Sequence, residues 1–269
     1  MKSSDVWIVT HVADDYLTCR HRLVHSVQLK VPVGSVRKTI RRPSGLERID
    51  LSEDLDYVIV KAKRKLIEQL HSAIGVGITD KVLEGVGRDI ENRVGNLFVT
   101  ADVDLSAPGT HALAFYSQRE VAPTKLLWSM LLPDDDAKVL CLYLNSVFNL
   151  IQVLTERAET RGAFIRLREY FLEDFSVPDP KKQSPSAKKL LLKTFESVRN
   201  VQFPSILDQL KNKHPSRRLI DTAWLKALNY QGDVDSLLDR LYDSLANEIE
   251  LLKKLMAEGE TPEEQEESK

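Results

Sequence analysis

An apolar stripe over residues 137–160 constrains the fold of this chain more than any other feature of its sequence. Leu, Val, Phe and Ile recur there every three or four positions, which predicts one long helix. Acids at 134–136 precede the stripe, and negative charge is favoured at a helix N-terminus. A helix with so wide an apolar face has to be covered by other elements. We therefore expect this helix at the centre of the core.

The segments on either side of this helix differ in kind. β-Branched and aromatic residues separated by turn signals predict short strands at 6–9, 24–33, 97–99, 111–117, 126–132 and 164–167. Helical periodicity predicts helices at 53–74, from about 79, at 204–211, at 216–229 and at 233–257, with a further helix starting at Ser184 and Pro185. The predicted class is therefore α+β, with a mixed β-rich and helical domain followed by an all-helical C-terminal part.

Composition divides the chain further. We expect a strand, loop and two-helix region at 1–95, a β-rich core with the long helix at 96–180, a helical part at 181–257 and a disordered acidic tail at 258–269. The basic, turn-rich segment 181–189 is the predicted boundary of the helical part. The tail holds six acids and one lysine, which leaves 37 basic and 34 acidic residues in the rest of the chain. A slightly basic body is compatible with nucleic-acid contact.

The composition also limits the cellular setting. Hydrophobic residues make up 42% of the chain, yet no apolar run approaches the roughly 20 residues of a membrane helix. The first residues do not resemble a signal peptide. Cys19 and Cys141 are far apart and form no disulfide framework. We therefore expect a cytoplasmic protein with no membrane partner.

Motifs for catalysis or cofactor binding are missing from the sequence. Gly75 and Gly77 lack the third glycine of a dinucleotide loop, and no Walker, Gly-x-Ser-x-Gly, His-Glu-x-x-His or methyltransferase Asn/Asp-Pro-Pro-Tyr/Phe motif occurs. His11, Cys19, His21 and His25 are zinc-competent residue types within fifteen positions. The competing interpretation is of ordinary polar side chains on a sheet, and the sequence does not decide between them. No catalytic residue, cofactor or metal ligand is predicted.

Basic clusters are the remaining candidates for a binding site. Those on predicted helices, at 61–65, 181–189 and 211–218, are interpreted as solvated faces. Residues 37–42 lie in a predicted loop and residues 161–168 around a glycine turn, where guanidinium groups can reach phosphates or guanine. The alternative for Arg157 and Arg161 is a cation at the last turn of a helix. The predicted DNA-binding residues are Arg37, Lys38, Arg41, Arg42, Arg157, Arg161, Arg166 and Arg168.

A family resemblance follows from the order of features in residues 137–180. An apolar helix carries the pair Asn145-Ser146, an Arg161-Gly162 turn follows, and a short basic strand leads to the segment LEDFSVP at 172–178. Strands at 96–99 and 111–116 precede this set, and residues 217–228 follow it. In this order the features resemble the target-recognition, or specificity, region of N6-adenine DNA methyltransferases from restriction–modification systems. The resemblance covers roughly residues 95–230.

The resemblance implies a module that selects the DNA sequence and has no methyl-transfer centre of its own. It implies double-stranded DNA as one partner and, as the other, a methyltransferase domain or subunit that binds S-adenosylmethionine. We therefore expect no enzymatic activity from this chain alone. The alternative, from a different functional class, is a helical protein-interaction scaffold with no role on DNA. An unrecognised hydrolase has no residue constellation in its favour.

Overall fold

The computed structural model describes residues 7–21, 25–26, 28–61, 88, 90–155, 164–168, 172 and 174–259. The strands are β1 Trp7–Val12, β2 Tyr16–His21, β3 Gln28–Pro32, β4 Val36–Ile40, β5 Asp56–Ile59, β6 Gly95–Thr100, β7 Asp102–Asp104, β8 Ala114–Pro123, β9 Leu127–Met130 and β10 Phe164–Arg166. The helices are α1 Asp134–Leu144, α2 Val147–Thr155, α3 Pro185–Val198, α4 Ile206–Lys211, α5 Pro215–Ala227 and α6 Val234–Gly259. The fold is therefore α+β, as the sequence predicts.

The chain divides into two compact units, each built from several segments. The first consists of Met1–Arg41, Asp54–Gly95 and Glu120–Thr124, and the second of Arg42–Glu53, Asn96–Arg119 and Lys125–Lys269. The strands β1 to β5 belong to the first unit. The strands β6, β7, β9 and β10 belong to the second together with the helices α1 to α6, except that Gly95 at the start of β6 is assigned to the first. The strand β8 contributes its last four residues to the first unit and the others to the second.

An antiparallel meander, β1-β2-β3, opens the first unit. Side chains of β2 and β3 alternate between buried and more exposed positions, as expected of a strand with one covered face. The buried positions are Leu17, Cys19, Leu29 and Val31, and they pack with Val9, Val36, Tyr57 and Ile59. The predicted strand at 24–33 is thus found in its second half, and residues 22–24 and 27 lie outside the described residues.

The basic segment 37–42 is a strand over most of its length, so the prediction of a loop is wrong. The strand β4 pairs antiparallel with β5 and parallel with Ala122 and Pro123 at the end of β8. Val36, Thr39 and Ile40 are β-branched, and such residues fit a pleated sheet well. The predicted helix at 53–74 is wrong at 56–59, where β5 forms. The rest of that helix, and most of the one predicted from residue 79, lie outside the described residues.

Strand pairing organises the β-structure of the second unit. The strand β9 pairs antiparallel with β6, whose residues are all buried, and β10 pairs antiparallel with β7. The second pairing confirms the short predicted strand at 164–167. One hydrophobic core of this unit includes Val103 of β7 and Ile165 of β10, which join side chains from α2, α4, α5 and α6.

The central helix predicted at 137–160 is two helices, α1 and α2, bent by 63°. Residues 145–146 form the break, and residues 156–160 lie outside the described residues. The prediction of one continuous helix fails because buried polar side chains hold the break. No single helix among the described residues is long and apolar enough to span a membrane. The pair α1 and α2 reaches that composition only across its bend, and most of its residues are buried within the protein.

The first C-terminal helix, α3, begins at the cap that the sequence predicts. The Ser184 hydroxyl accepts a hydrogen bond from the Ala187 amide at 3.2 Å, and Pro185 occupies the first helical position. The Ser205 hydroxyl caps α4 in the same way, through the Asp208 amide. These helices enclose Trp224, whose side chain is completely buried and meets the ring of Tyr143 edge to face at 5.2 Å.

Candidate nucleic-acid interface

Three residues with exposed side chains lie in register along β10 and its continuation. Phe164, Arg166 and Arg168 are exposed, whereas Ile165 and Leu167 between them are 0% and 3% exposed. Successive side chains of a strand point to opposite faces, so the three exposed residues share one face. We call Phe164, Arg166 and Arg168 the outward row.

Backbone and side-chain contacts of the second unit fix the strand that carries the outward row. The Leu167 amide donates to the Ala101 carbonyl at 2.7 Å, which prolongs the pairing of β10 with β7. The Trp128 indole N–H on β9 donates to the Leu167 carbonyl at 2.8 Å. Because Ile165 is also anchored in the core, the row is presented by a rigid element. Rigid presentation is what a recognition surface needs.

The two arginines of the outward row differ in their electrostatic surroundings. Arg166 Nε donates to Asp102 Oδ1 at 2.8 Å, and the two side chains are 56% and 29% exposed. Arg168 is exposed, and its side chain makes no ion pair with any residue that the structure describes. Among the described residues, Arg168 therefore has no carboxylate partner to give up on contact with an anion, whereas Arg166 has to exchange Asp102. Arg157 and Arg161, the other predicted residues of this cluster, lie outside the described residues.

The N-terminal basic cluster is occupied by contacts within its own unit. Arg37 binds both carboxylate oxygens of Glu91 at 2.6 and 2.7 Å, and this contact holds the pKa of Glu91 below its usual value. The ammonium of Lys38 lies 4.0 Å from the centre of the Tyr57 ring. Arg41 lies 3.4 Å from a carboxylate oxygen of Asp56.

These side chains are partly exposed, so ion pairs among them are weak and exchangeable. Arg42 is exposed and belongs to the second unit. The structure thus describes six of the eight predicted DNA-binding residues. Four of them lie on β4 or just beyond it, and two lie in the outward row.

Sequence reasoning missed the residues that shape the outward row. Asp102 supplies the counter-charge, Phe164 supplies an apolar contact, and Trp128 supports the backbone. The alternation of apolar and charged residues over 164–168 was the available signal for Phe164. Asp102 and Trp128 are about 40 to 60 positions away in the sequence. The pairing of β10 with β7 brings Asp102 to the row, and an indole hydrogen bond from β9 brings Trp128 to it.

The basic cluster at 211–218 was interpreted as solvated, and the structure corrects that interpretation at Arg217. Arg217 is 3% exposed. Its Nε donates to the Gln209 side-chain oxygen at 2.8 Å and its Nη1 to the Asn145 carbonyl at 2.9 Å. The neighbouring Arg218 lies near the surface and pairs with Asp235 and Asp239 at 2.7 and 2.6 Å. Arg217 is therefore part of the interior and is no candidate for contact with a ligand.

The buried contacts of Arg217 belong to a larger set at the break between α1 and α2. The Asn145 side chain makes four hydrogen bonds of 2.8 to 3.2 Å, to the backbone of Leu113, Ala114 and Cys141. Asn145 is therefore a packed, structural residue. We call Asn145, Gln209, Arg217, Asp221 and Tyr242 the buried polar network.

Asp221 is the acid of the buried polar network. Its carboxylate accepts from the Val147 amide at 2.8 Å, which is the first N–H of α2, and from the Tyr242 hydroxyl at 2.6 Å. Burial raises the pKa of Asp221 from 3.8 to about 6, against the opposing influence of Arg217 and of both hydrogen bonds. The network thus satisfies the backbone groups that the bend leaves without helical partners.

The possible metal ligands of β2 do not assemble into a site. Cys19 and His21 are buried neighbours on one face, whereas His11 and His25 are exposed. Among the described residues, no group of three or more His, Cys, Asp or Glu side chains is placed to hold a metal ion. Burial raises the pKa of the Cys19 thiol, which makes it a poor source of thiolate.

The chain matches no protein-family model and no curated protein sequence. Its structure is similar to that of the type IIG restriction endonuclease BpuSI, with a TM-score of 0.60 and 15% sequence identity. The similarity covers 96% of this chain and 32% of the endonuclease chain, so this chain spans about a third of the length of that enzyme. The two proteins share a fold. The resemblance to restriction–modification enzymes noted from the sequence is supported at that level.

Proposed function

We propose that this chain is a sequence-specific DNA-recognition module of a restriction–modification or related DNA methylation system. The observation that carries the proposal is the shared fold, which extends over 96% of this chain and a third of a restriction endonuclease. Residues 96–180 form the recognition part in this proposal, and residues 181–257 form its helical support. The methyl-transfer centre belongs to a separate domain or subunit that binds S-adenosylmethionine.

The outward row provides chemistry suited to base recognition. An arginine fork matches the two major-groove acceptors of guanine, and an apolar side chain such as Phe164 can contact the methyl group of thymine. Arg168 is the better base reader of the two arginines because its charge is not already matched by Asp102. Arg166 contributes after exchanging Asp102 for a phosphate or a base, and Arg157 and Arg161 extend the same surface in the proposal.

The cations of β4 and the adjacent Arg42 are proposed to contact phosphates. The contacts of Arg37, Arg41 and Lys38 with partly exposed carboxylates and a tyrosine ring can be exchanged for phosphate at little cost. Contacts of this kind fix the register of a protein on DNA without reading its sequence. They also offset part of the free energy needed to flip a target base out of the stack.

The decisive experiment begins with a selection from a random duplex library, followed by fluorescence anisotropy on the selected and on random duplexes. Arg168→Gln is expected to weaken binding to the selected duplex by about 1–3 kcal/mol and to leave random duplexes nearly unaffected. Arg240→Gln on α6 is the matched control, because Arg240 is an exposed arginine outside the row. It should bind like the wild type.

Two results would overturn the proposal. One is the absence of duplex binding at about 50 mM salt, both by the chain alone and with its methyltransferase partner. The other is binding with no sequence preference after selection. The first result would favour the alternative of a helical protein-interaction scaffold, for which a partner pull-down is then the appropriate assay.

A further inference from the structure

The strongest unexplained charge in the second unit lies at the start of α3. Residues 181–193 contain five lysines and no acid. Lys181 and Lys182 lie in a 3-10 turn at Pro180–Lys182, and the others are on α3 itself. We call Lys181, Lys182, Lys188, Lys189 and Lys193 the lysine surface. From the sequence alone, the cluster at 181–189 is interpreted as a solvated face. The arrangement of these lysines in the structure indicates a binding role.

The helical lysines share one face, where they line a shallow groove. Its walls are formed by Pro185, Lys188, Lys189, Leu192, Lys193 and Glu196. Each of these positions has another of the set three or four residues away, so their side chains are neighbours along the helix. Pro185 and Leu192 contribute apolar surface to this groove, and lysine stems can lie along such surface while the ammonium groups stay in water.

Little charge within the protein compensates this surface. Lys188 is the exception, because its Nζ lies 2.8 Å from Asp136 Oδ1. Glu196 at the far end of the groove is engaged by Lys138 and Arg199. The side chains of Lys181, Lys182, Lys189 and Lys193 make no ion pair with any residue that the structure describes. These four exposed cations therefore face solvent without an acidic partner in the described part of the chain.

The positions of these lysines lower the stability of α3. The first turn of α3 holds no acid, and cations near a helix N-terminus oppose the macrodipole. Lys189 and Lys193 are four residues apart, and like charges at that spacing repel each other. When local rules of helix stability are broken together and nothing within the fold compensates them, a functional role is the usual reason.

We infer that the lysine surface binds the sugar–phosphate backbone of duplex DNA. The inference rests on the proposed function and adds a sequence-independent contact to it. Lysines four residues apart are separated by about 6 Å along a helix axis, and each DNA strand presents a phosphate about every 3.4 Å of its axis. Flexible lysine stems can match that series of charges without the fixed geometry that base reading requires.

The test compares two triple substitutions of equal charge in the full-length chain. Lys182→Gln, Lys189→Gln and Lys193→Gln together remove three cations of the lysine surface. Lys188 is retained because its loss would leave Asp136 buried and unpaired. Lys226→Gln, Lys253→Gln and Lys254→Gln together remove three exposed cations elsewhere in the second unit.

Anisotropy on random and selected duplexes between about 50 and 200 mM salt measures how affinity depends on salt. The first variant is expected to flatten the slope of log affinity against log salt by up to about 0.9 for each phosphate that it no longer neutralises. The affinities for random and selected duplexes should fall by the same factor. The control variant should keep the wild-type slope.

A substitution of the same three residues by arginine keeps their charge and should preserve the slope, which separates a charge effect from a folding effect. Wild-type binding with an unchanged slope in the glutamine variant would overturn this inference and leave the proposed function intact. Loss of affinity on the selected duplex alone would also overturn it, because phosphate contacts do not distinguish sequences. Absence of wild-type binding to any duplex would instead overturn the proposed function.

Discussion

Arg217 and Arg166 are two arginines of the same unit, and the difference between their surroundings shows which polar residues build this fold and which are available to a ligand. Arg217 is 3% exposed and binds Gln209 and the Asn145 carbonyl within the buried polar network. The Arg166 side chain is 56% exposed and binds a single carboxylate, that of Asp102. The hydrogen-bond lengths are the same within 0.1 Å. Burial therefore separates the two roles, and bond length does not.

The energetic consequence follows from what remains after one partner is removed. In the interior, removal leaves a charge or polar group without water, which is strongly destabilising. At the surface, water and salt replace the missing partner, so the cost is small. The buried polar network thus stabilises the bend between α1 and α2 and cannot exchange its partners at low cost. The side chains of the outward row can.

The largest expected effect tests the interior side of this comparison. Arg217→Met keeps much of the side-chain volume but leaves the Gln209 side-chain oxygen and the Asn145 carbonyl without their buried donor. It also removes the positive charge that opposes the raised pKa of Asp221. We expect a loss of about 3–5 kcal/mol in the free energy of unfolding, measured by urea denaturation. Arg218→Met is the matched control, since Arg218 adjoins it in the sequence and its two acid partners are largely exposed. A loss of at most about 1 kcal/mol is expected there. Equal losses would show that burial does not distinguish the two sites.

A pH titration tests the same network through Asp221. Its pKa is about 6 in the folded protein and 3.8 in a model carboxyl group. Between these values the folded state binds a proton that the unfolded state does not, so this group stabilises the fold most at low pH. Its contribution falls as pH rises from about 4 to 6, by at most about 3 kcal/mol, and is constant above.

The measurement is the difference in unfolding free energy between the wild type and Asp221→Asn from about pH 4 to 7. Other carboxyl groups titrate in both proteins and cancel in the difference. The wild type should lose stability relative to the variant as pH rises through the window between the two pKa values. Parallel pH profiles would contradict the raised pKa.

Much of the β10 region and of the C-terminal helices was predictable from the sequence. Alternation over 164–168 identifies the strand and its outward side, and Ser184-Pro185 identifies the start of α3, because both signals are local. The bend at residues 145–146 was not predictable, since the apolar stripe continues through it. Asp221 stabilises the bend from 74 positions away. The helix wrongly predicted over 56–59 failed for the same reason, because pairing with β4 overrides the local period.

The burial of Arg217 was predictable from the spacing of residues in its helix. Arg217 is in helical register with Ile220, Asp221 and Trp224, which form the covered face of α5. The sequence prediction placed residues 217 and 218 in the same solvated cluster, although their side chains face opposite environments. The contacts of the outward row are a different case, because Asp102 becomes a neighbour of Arg166 only through the pairing of β7 and β10.

A third, smaller effect tests the exchangeable side of the comparison. Asp102→Asn removes the carboxylate that neutralises Arg166, which makes the outward row more attractive to phosphate. We expect affinity for random duplex DNA to rise by up to about tenfold at low salt, equivalent to about 1.4 kcal/mol. Asp104→Asn is the comparison on the same strand, because that carboxylate accepts hydrogen bonds from the Ser106 amide and hydroxyl. An affinity that falls in Asp102→Asn would show that the ion pair positions Arg166 for binding.

The smallest expected change in unfolding free energy is at a partly exposed ion pair with short contacts. Arg37 and Glu91 make a two-point contact at 2.6 and 2.7 Å, shorter than either bond of Arg217, and their side chains are 40% and 33% exposed. If distance decided energy, Glu91→Gln would be among the costlier substitutions. Because exposure decides it, we expect a change in unfolding free energy of less than about 1 kcal/mol.

Salt provides the second half of this test. Exposed charges are screened at high ionic strength and buried ones are not. The loss of unfolding free energy caused by Glu91→Gln should therefore fall toward zero between about 0.05 and 1 M salt, as measured by urea denaturation. The loss caused by Arg217→Met should stay nearly unchanged over the same range. A cost of several kcal/mol at Glu91, or one that resists salt, would place the Arg37 contact with the buried polar network. It would also remove Arg37 from the cations available to DNA.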